Sequence, residues 1–475
     1  MLVFYVGLLM PYNPVIMSSD QFPYKLLPPP ENLPEYDAAH TADTSYIGKV
    51  LYVSGMYQSK ETFGIKRVDR NRHTYILGKS GMGKTCLIEN LVRTDIEHGF
   101  GVAIIDPHGD LAQNILKCIP PNRINDVVYI DPSDLESPLA FNPFASVPRA
   151  HHQQVSQGLV EIFKKQFAST WTPRIEHLFR FATLAMLEYS EGTLYGLLQL
   201  ITDSQYRQHV LQNIEDDIVK RFFSVEFAGY TQKYDTEAIT PLVNRLGHFF
   251  SDPLMRWIFM NPQNKIDVEN IMNTGKILIV NTSKGILGEE NSALFGSFFL
   301  TKIEQAAMAR SREQKENRSQ FYLYVDEFQN VATESFISLF SESRKYAINI
   351  TVANQYLSQI PESLMNAILG NVGTMIIFRL GGQDAERISK EFQPELRSHD
   401  FLNLGLGEFY IKMSVEGKTL PPFSATSTMM KASPYSGNVP LILQNTKEKY
   451  KQTEPLPVIS EKNSVQPSPE LPPPT

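Results

Sequence analysis

Short apolar runs punctuate the chain at 74–77 (TYIL), 102–105 (VAII), 127–130 (VVYI), 277–280 (ILIV), 321–325 (FYLYV), 348–353 (INITVA) and 375–378 (MIIF). They are largely continuous rather than alternating, as in strands covered on both faces. Helical patterns follow most of them. Strands alternating with helices predict an α/β fold with a mostly parallel central sheet. The rhythm breaks between about 150 and 273, where WTPRIEHLFRFATLAMLEYSE and TLYGLLQLI carry helical spacing. That stretch lies between two core strands, so it predicts an inserted all-α domain. Its aromatics (Phe179, Phe181, Phe222, Phe223, Phe249 and Phe250) are read as core.

The flanks differ in character. Residues 21–45 are proline-rich (KLLPPPENLPEYD) and predict an extended linker. Alternating runs such as YIGKVLYVSG predict a small strand pair before the core. Residues 433–475 are polar, end in PSPELPPPT and predict a disordered tail. The division is therefore 1–45, an apolar segment and linker; 46–149 and 274–432, the two parts of the α/β domain; 150–273, the insertion; and 433–475, the tail. The N-terminus, MLVFYVGLLMPYNPVIM, holds ten apolar residues before Pro11. A bilayer span needs roughly twenty, and no basic region or cleavage site marks a signal peptide. A peripheral anchor or a buried strand is expected.

Composition narrows the classes. With 475 residues, 42% hydrophobic and 20% charged, the chain can build two or three domains. A net charge of -7 argues against a small basic protein that coats nucleic acid. It leaves room for DNA held in a locally positive groove or pore. Cys86 and Cys118 lie outside any CxxC cluster and are read as buried free thiols in a reducing cytoplasm. The ten histidines show no metal-ligand spacing.

The chemistry begins at GKSGMGKT, directly after the first core run. Gly78, Lys79, Ser80, Gly81, Met82, Gly83, Lys84, Thr85 and Cys86 form a phosphate-binding loop running into a helix. Glycines let the backbone curl so that its N–H groups point inward, and the helix N-terminus adds to the cradle. Lys84 is expected to reach the β- and γ-phosphates of ATP, and Thr85 to bind Mg2+. The strand FYLYV ends in Asp326 and Glu327. The first acid suits the Mg2+ shell, and the second can polarise water for attack on the γ-phosphate. A transferase rarely needs that second acid, so the pair points to hydrolysis. Gln355 ends the next strand, where an amide can sense the γ-phosphate.

In order, GKSGMGKT, VAIIDPHGDL, the helical insertion, YVDEFQN, SRKYAINITVANQ and NVGTMIIFRLGGQDAE resemble the HerA–FtsK superfamily of ring ATPases. Within it the chain is most similar to the TraD/TraG-type conjugative coupling proteins of type IV secretion systems. The resemblance covers roughly residues 46–429. It implies a RecA-like motor domain, a homohexameric ring, DNA in the pore, single- or double-stranded, and a relaxase or secretion-channel proteins as partners. It also implies an arginine supplied to the neighbouring subunit, which falls on Arg344. Arg379 and Arg72 are similar to secondary arginines, Arg379 on the nucleotide side. Asp106 and His108 match an Asp-Pro-x-Gly stretch that shapes the site, contacts the neighbour or simply turns the strand.

The basic stretches are Arg310, Arg312, Lys315 and Arg318, and KRVDRNR from Lys66 to Arg72. Neither carries interleaved aromatics for stacking bases, so DNA binding rests on the resemblance. The expected function is an ATP-hydrolysing DNA translocase, cytoplasmic or peripheral at the inner face of the cell membrane. The alternatives are a HerA-like repair translocase, a secretion ATPase moving protein, and a scaffold that binds ATP without turning it over.

Overall fold

The computed structural model describes residues 23–451, leaving aside 38, 55–56, 60, 135–138, 169, 230–238, 335 and 429–431. The expected N-terminal apolar segment and the proline-rich end of the tail lie outside the described residues.

The strands, in chain order, are β1 Thr44–Val50, β2 Tyr52–Ser54, β3 Tyr57–Ser59, β4 Thr62–Lys66, β5 Thr74–Leu77, β6 Gly101–Asp106 and β7 Val127–Ile130. They continue with β8 Ile277–Asn281, β9 Phe321–Val325, β10 Ile348–Asn354, β11 Thr374–Ile377, β12 Glu408–Val415, β13 Lys418–Thr419 and β14 Phe423–Thr426. One large sheet runs β4-β1-β14-β12-β11-β5-β10-β9-β6-β8-β7. From β11 to β7 all neighbours are parallel. Each of the apolar runs read from the sequence lies in this half. β5, β6, β8 and β9 are buried at every position, as a sheet with two covered faces requires.

The other half was not anticipated. β12, β14, β1 and β4 add an antiparallel wing to β11. Of the stretch expected to form a strand pair, β1 and β4 are the far edge of the main sheet, while β2 and β3 pair separately. The proline-rich stretch before it is a strap rather than a free linker. Tyr24 and Leu27 are buried, Leu27 N–H donates to Ser424 Oγ at 2.8 Å, and the Tyr24 hydroxyl donates to Glu408. The tail also needs correcting. Val439–Tyr450 is a helix with Ile442 fully buried, packed beside β7. Pro440 at its first turn starts the helix rather than breaking it.

Register sets the site. Leu77 pairs with Asn354 and Ile377, and Val325 pairs with Ile105 and Val352. The C-terminal ends of β5, β6, β9 and β10 therefore share one edge, where ligands of open parallel sheets sit. Helix α1 (Lys84–Glu97) and helix α2 (Asp110–Leu116) start from that edge.

Between His152 and Asn273 the described residues form helices and no strand. The first of these, α3 (His152–Gln166), packs on the long motor-side helix Glu289–Ala309. Phe163 meets Phe298 at 6.1 Å between ring centroids, and Phe259 meets Phe298 at 5.1 Å. The insertion and the sheet layer thus share one aromatic core. Of the aromatics read as core, Phe179, Phe222, Phe223, Phe249 and Phe250 are buried, while Phe181 is half-buried and stacked on Phe222.

Among the described residues no helix is long and apolar enough to cross a membrane.

Candidate nucleotide site

The loop from Gly78 to Gly83 joins β5 to α1. Gly83 has φ 113°, a left-handed conformation that a side chain would strain. A Cβ at Gly78 would lie 2.5 Å from Phe378 Cβ, so that glycine is required by packing. No side chain caps α1, which leaves its first N–H groups and its positive dipole end facing the cavity.

Lys84 is buried and folds back over the loop, donating to the carbonyls of Gly78 at 2.7 Å and Lys79 at 3.3 Å. Burial lowers its pKa, and the charges of Glu327 and Asp326 only partly offset this. Thr85 Oγ1 donates to Asp326 Oδ2 at 3.2 Å. A hydroxyl and a carboxylate side by side at a phosphate loop form a donor set that fits Mg2+, which binds through a few protein oxygens plus phosphate and water. Burial, with the charges of Glu327 and Asp106, pushes Asp326 up to about 6. A bound cation would relieve that penalty.

Glu327 behaves oppositely. Its burial favours the neutral acid, but hydrogen bonding and the Lys84 charge outweigh it and hold its pKa down at about 2. Gln355 Nε2 donates to Oε1 at 2.6 Å, and Gln329 Nε2 donates to Oε2 at 2.5 Å. His108 Nε2 lies 3.9 Å from Oε1, and that carboxylate raises the histidine pKa. Glu327 itself sits at φ 46°, ψ 48°, a left-handed conformation unusual for a residue with a side chain.

These groups line one cavity of about 400 Å³, which includes Ser80, Gly81, Gly83, Lys84, Thr85, Cys86, Asp326, Glu327 and Gln355. That volume is in the range of small-molecule sites. Asp106 and His108 also line it. Asp106 is committed to the backbone, accepting from the N–H groups of His108 and Ala112 at 2.9 Å each. It shapes the turn into α2. Cys86 is half-buried at the cavity wall rather than fully buried, whereas Cys118 is buried.

Other candidates fall elsewhere. Lys79 N–H donates to the Arg379 carbonyl at 3.0 Å, so Arg379 flanks the loop with a half-buried side chain. Met82 is half-buried and its carbonyl accepts from Gly407 N–H at 3.1 Å. Arg344 is exposed in the turn Ser343–Tyr346 before β10, at the opposite end of the sheet from its own loop. The seven residues of β10 alone separate the two ends by roughly 23 Å. Arg72 lies at that same far edge, with its side chain packed beside Gly373.

The basic stretches are mostly structural. Arg310 is buried and donates to the carbonyls of Met272 at 2.8 Å, Ser319 at 2.9 Å and Tyr346 at 3.0 Å. Arg318 donates to the Glu313 and Lys345 carbonyls. Arg70 donates to both oxygens of the buried Asp95 at 3.0 and 2.9 Å, and Arg67 donates to the same carboxylate at 2.6 Å. Gln329 escaped the reading of the sequence; its only local signal is its place two residues after Glu327.

A loop of this kind, with Thr85 beside Asp326 on a parallel sheet, defines a P-loop NTPase fold. Residues 62–395 match the profile of the type IV secretion-system coupling protein DNA-binding domain, and the chain belongs to that family. Among solved structures it is similar to the bacterial conjugative coupling protein TrwBdeltaN70, with TM-score 0.59 and 13% identity over 78% of this chain and 88% of that one. It is also similar to VirB4 of Thermoanaerobacter pseudethanolicus, with TM-score 0.55 and 17% identity over 85% of this chain and 99% of that one. The plasmid coupling protein TrwB in complex with ADP and Mg2+ aligns with TM-score 0.57 and 13% identity over 78% and 88% of the two chains. At these identities the likeness is one of fold. Comparison with curated proteins finds no match.

Proposed function

We propose that the chain hydrolyses ATP, assembles as a homohexameric ring and moves DNA through its centre. One observation carries the hydrolytic part of this reading: Glu327, fixed by two amides, shares a single cavity with Lys84 and the Thr85–Asp326 pair. A protein that merely binds nucleotide needs no such carboxylate.

In this reading the loop N–H groups and the N-terminus of α1 hold the β-phosphate. Lys84 exchanges its two carbonyl acceptors for phosphate oxygens. Thr85 and Asp326 hold Mg2+, which neutralises phosphate charge when bound. Glu327 orients and polarises the attacking water, and Gln355 senses the γ-phosphate beside it. Arg379 contacts the nucleotide from the flank of the loop. Arg344 is exposed and far from its own loop, which suits an arginine given to the neighbouring subunit. Membership of a coupling-protein DNA-binding family supports DNA as the cargo, and a relaxase or secretion-channel proteins as partners. The reading puts the protein in the cytoplasm, or peripherally at the inner face of the cell membrane.

The test is ATP-driven removal of roadblocks: a triplex-forming strand from duplex DNA, and streptavidin from biotinylated single strands. Removal on one substrate, lost in Lys84→Ala, is the expected result. Steady ATP turnover with no removal on either substrate would overturn DNA as the cargo.

A further inference from the structure

We propose that Lys165, on the inserted helical domain, is a positioning residue for Glu327, so that the insertion controls the rate of hydrolysis. The proposal rests on the reading of Glu327 as the water-activating group.

The chain leaves Glu327 through one tight turn, Phe328–Asn330. Within it Asn330 N–H bonds the Glu327 carbonyl at 2.9 Å, and the N–H groups of Val331 and Ala332 bond the Phe328 carbonyl at 3.2 and 3.0 Å. Those bonds use no carbonyl beyond Phe328. The carbonyls of 329–332 take their protein partners from elsewhere in the chain. Lys165 Nζ supplies three of them, donating to Gln329 at 2.9 Å, Asn330 at 3.0 Å and Ala332 at 2.6 Å. Ser297 Oγ lies 2.9 Å from the remaining one, Val331, and shares its single hydrogen between that carbonyl and Ala293 at 2.7 Å. An ammonium has three hydrogens, so Lys165 commits all of its donors to this turn.

The turn in turn holds the carboxylate. Gln329, whose carbonyl Lys165 grips, donates its side-chain amide to Glu327 Oε2. Glu327 stands in a left-handed backbone conformation that only its surroundings keep in place. Lys165 is in the last turn of α3, and Ser297 is on the helix Glu289–Ala309 against which α3 packs through Phe163 and Phe298. A displacement of that helix pair therefore reaches Glu327 through one side chain and one backbone turn. The acceptors are neutral carbonyls; the side chain as a whole is exposed, while the protein crowding its ammonium lowers the pKa to about 8, so the three hydrogen bonds rather than burial carry the clamp.

The experiment compares the full chain with Lys165→Met and Lys165→Arg, reading kcat, KM, equilibrium ATP affinity and melting temperature. Lys165→Met is expected to lower kcat about tenfold to a hundredfold, as for a modest misplacement of a reacting group. KM, affinity and melting temperature stay near wild type, Lys165→Arg recovers much of the rate, and Lys165→Met adds little in a Gln329→Leu background. Normal kcat in Lys165→Met overturns the clamp and leaves the hydrolytic reading intact. A matching fall in ATP affinity and melting temperature marks a merely structural lysine and also overturns it. Wild-type protein that binds ATP but does not turn it over overturns the hydrolytic reading, and the clamp with it.

Discussion

Gln355 and Glu327 meet across the ends of two neighbouring strands, the amide donating to the carboxylate at 2.6 Å. Gln329 holds the other oxygen, so both oxygens are spoken for before any substrate arrives. A carboxylate with its pKa held at about 2 is a weak proton acceptor. In the proposed function its task is to orient water toward the phosphoryl group. Removing one amide leaves the carboxylate free to rotate. Gln355→Leu and Gln329→Leu are each expected to cut kcat about tenfold or more, with nucleotide affinity retained. The double variant should lose less than the product of the two. Single-turnover kinetics beside equilibrium binding checks this.

Arg344 stands at the wrong end of its own sheet to touch its own loop. If it completes a neighbour's site, Arg344→Ala should bind ATP normally and lose about a thousandfold in turnover. Mixing Arg344→Ala with Lys84→Ala should restore part of the activity, because some interfaces then pair an intact loop with an intact arginine. No recovery in the mixture, measured across a range of ratios, would place the arginine in a local role.

His73 anchors that same turn. It is 3% exposed, accepts from Ile350 N–H at Nδ1 at 3.2 Å, and its Nε2 lies 2.9 Å from Ser343 Oγ. Burial, with Arg344 nearby, lowers its pKa from 6.5 to about 4. Below pH 6.5 the unfolded chain takes up a proton that the folded chain refuses until about pH 4, so stability falls as the pH drops through that window. The full effect is on the order of 3 kcal/mol. Denaturant midpoints between pH 7 and 4 should fall less steeply in His73→Asn than in wild type.

Asp95 binds Arg70 and Arg67 inside the protein, with Tyr324 donating to the same carboxylate. Asp95→Ala leaves Arg70 buried without its counter-charge and should cost about 3 to 5 kcal/mol in denaturant unfolding. Asp95 is on α1 and Tyr324 is two residues before Asp326, so the same variant should weaken Mg-nucleotide binding as well.

The parts legible in the sequence were those whose chemistry is local. Gly83 and Lys84 announce a phosphate loop because the turn and the donor lie within a few residues of each other. Asp326 and Glu327 stand out because acids rarely end a fully apolar strand. Gln329 and Lys165 were not legible: their contact joins residues 164 positions apart, and nothing near Lys165 marks it as different from Lys164. Arg67 and Arg70 read as a basic patch because their partner, Asp95, is on another element. The helix Val439–Tyr450 hid between a proline at its start and a polar second half; its packing face is Ile442 and Thr446, with Val439, Leu443 and Tyr450 partly buried beside them.

The central claim is that this cavity hydrolyses ATP in the service of moving DNA. The direct measurement is steady-state ATP turnover of the purified chain, with and without single- and double-stranded DNA, across a series of protein concentrations, beside Glu327→Gln. Turnover should rise more than linearly with protein, increase with DNA, and fall by roughly a hundredfold or more in the variant while ATP still binds. Equal turnover in wild type and Glu327→Gln, or ATP bound by an assembled protein with no turnover at all, would contradict it.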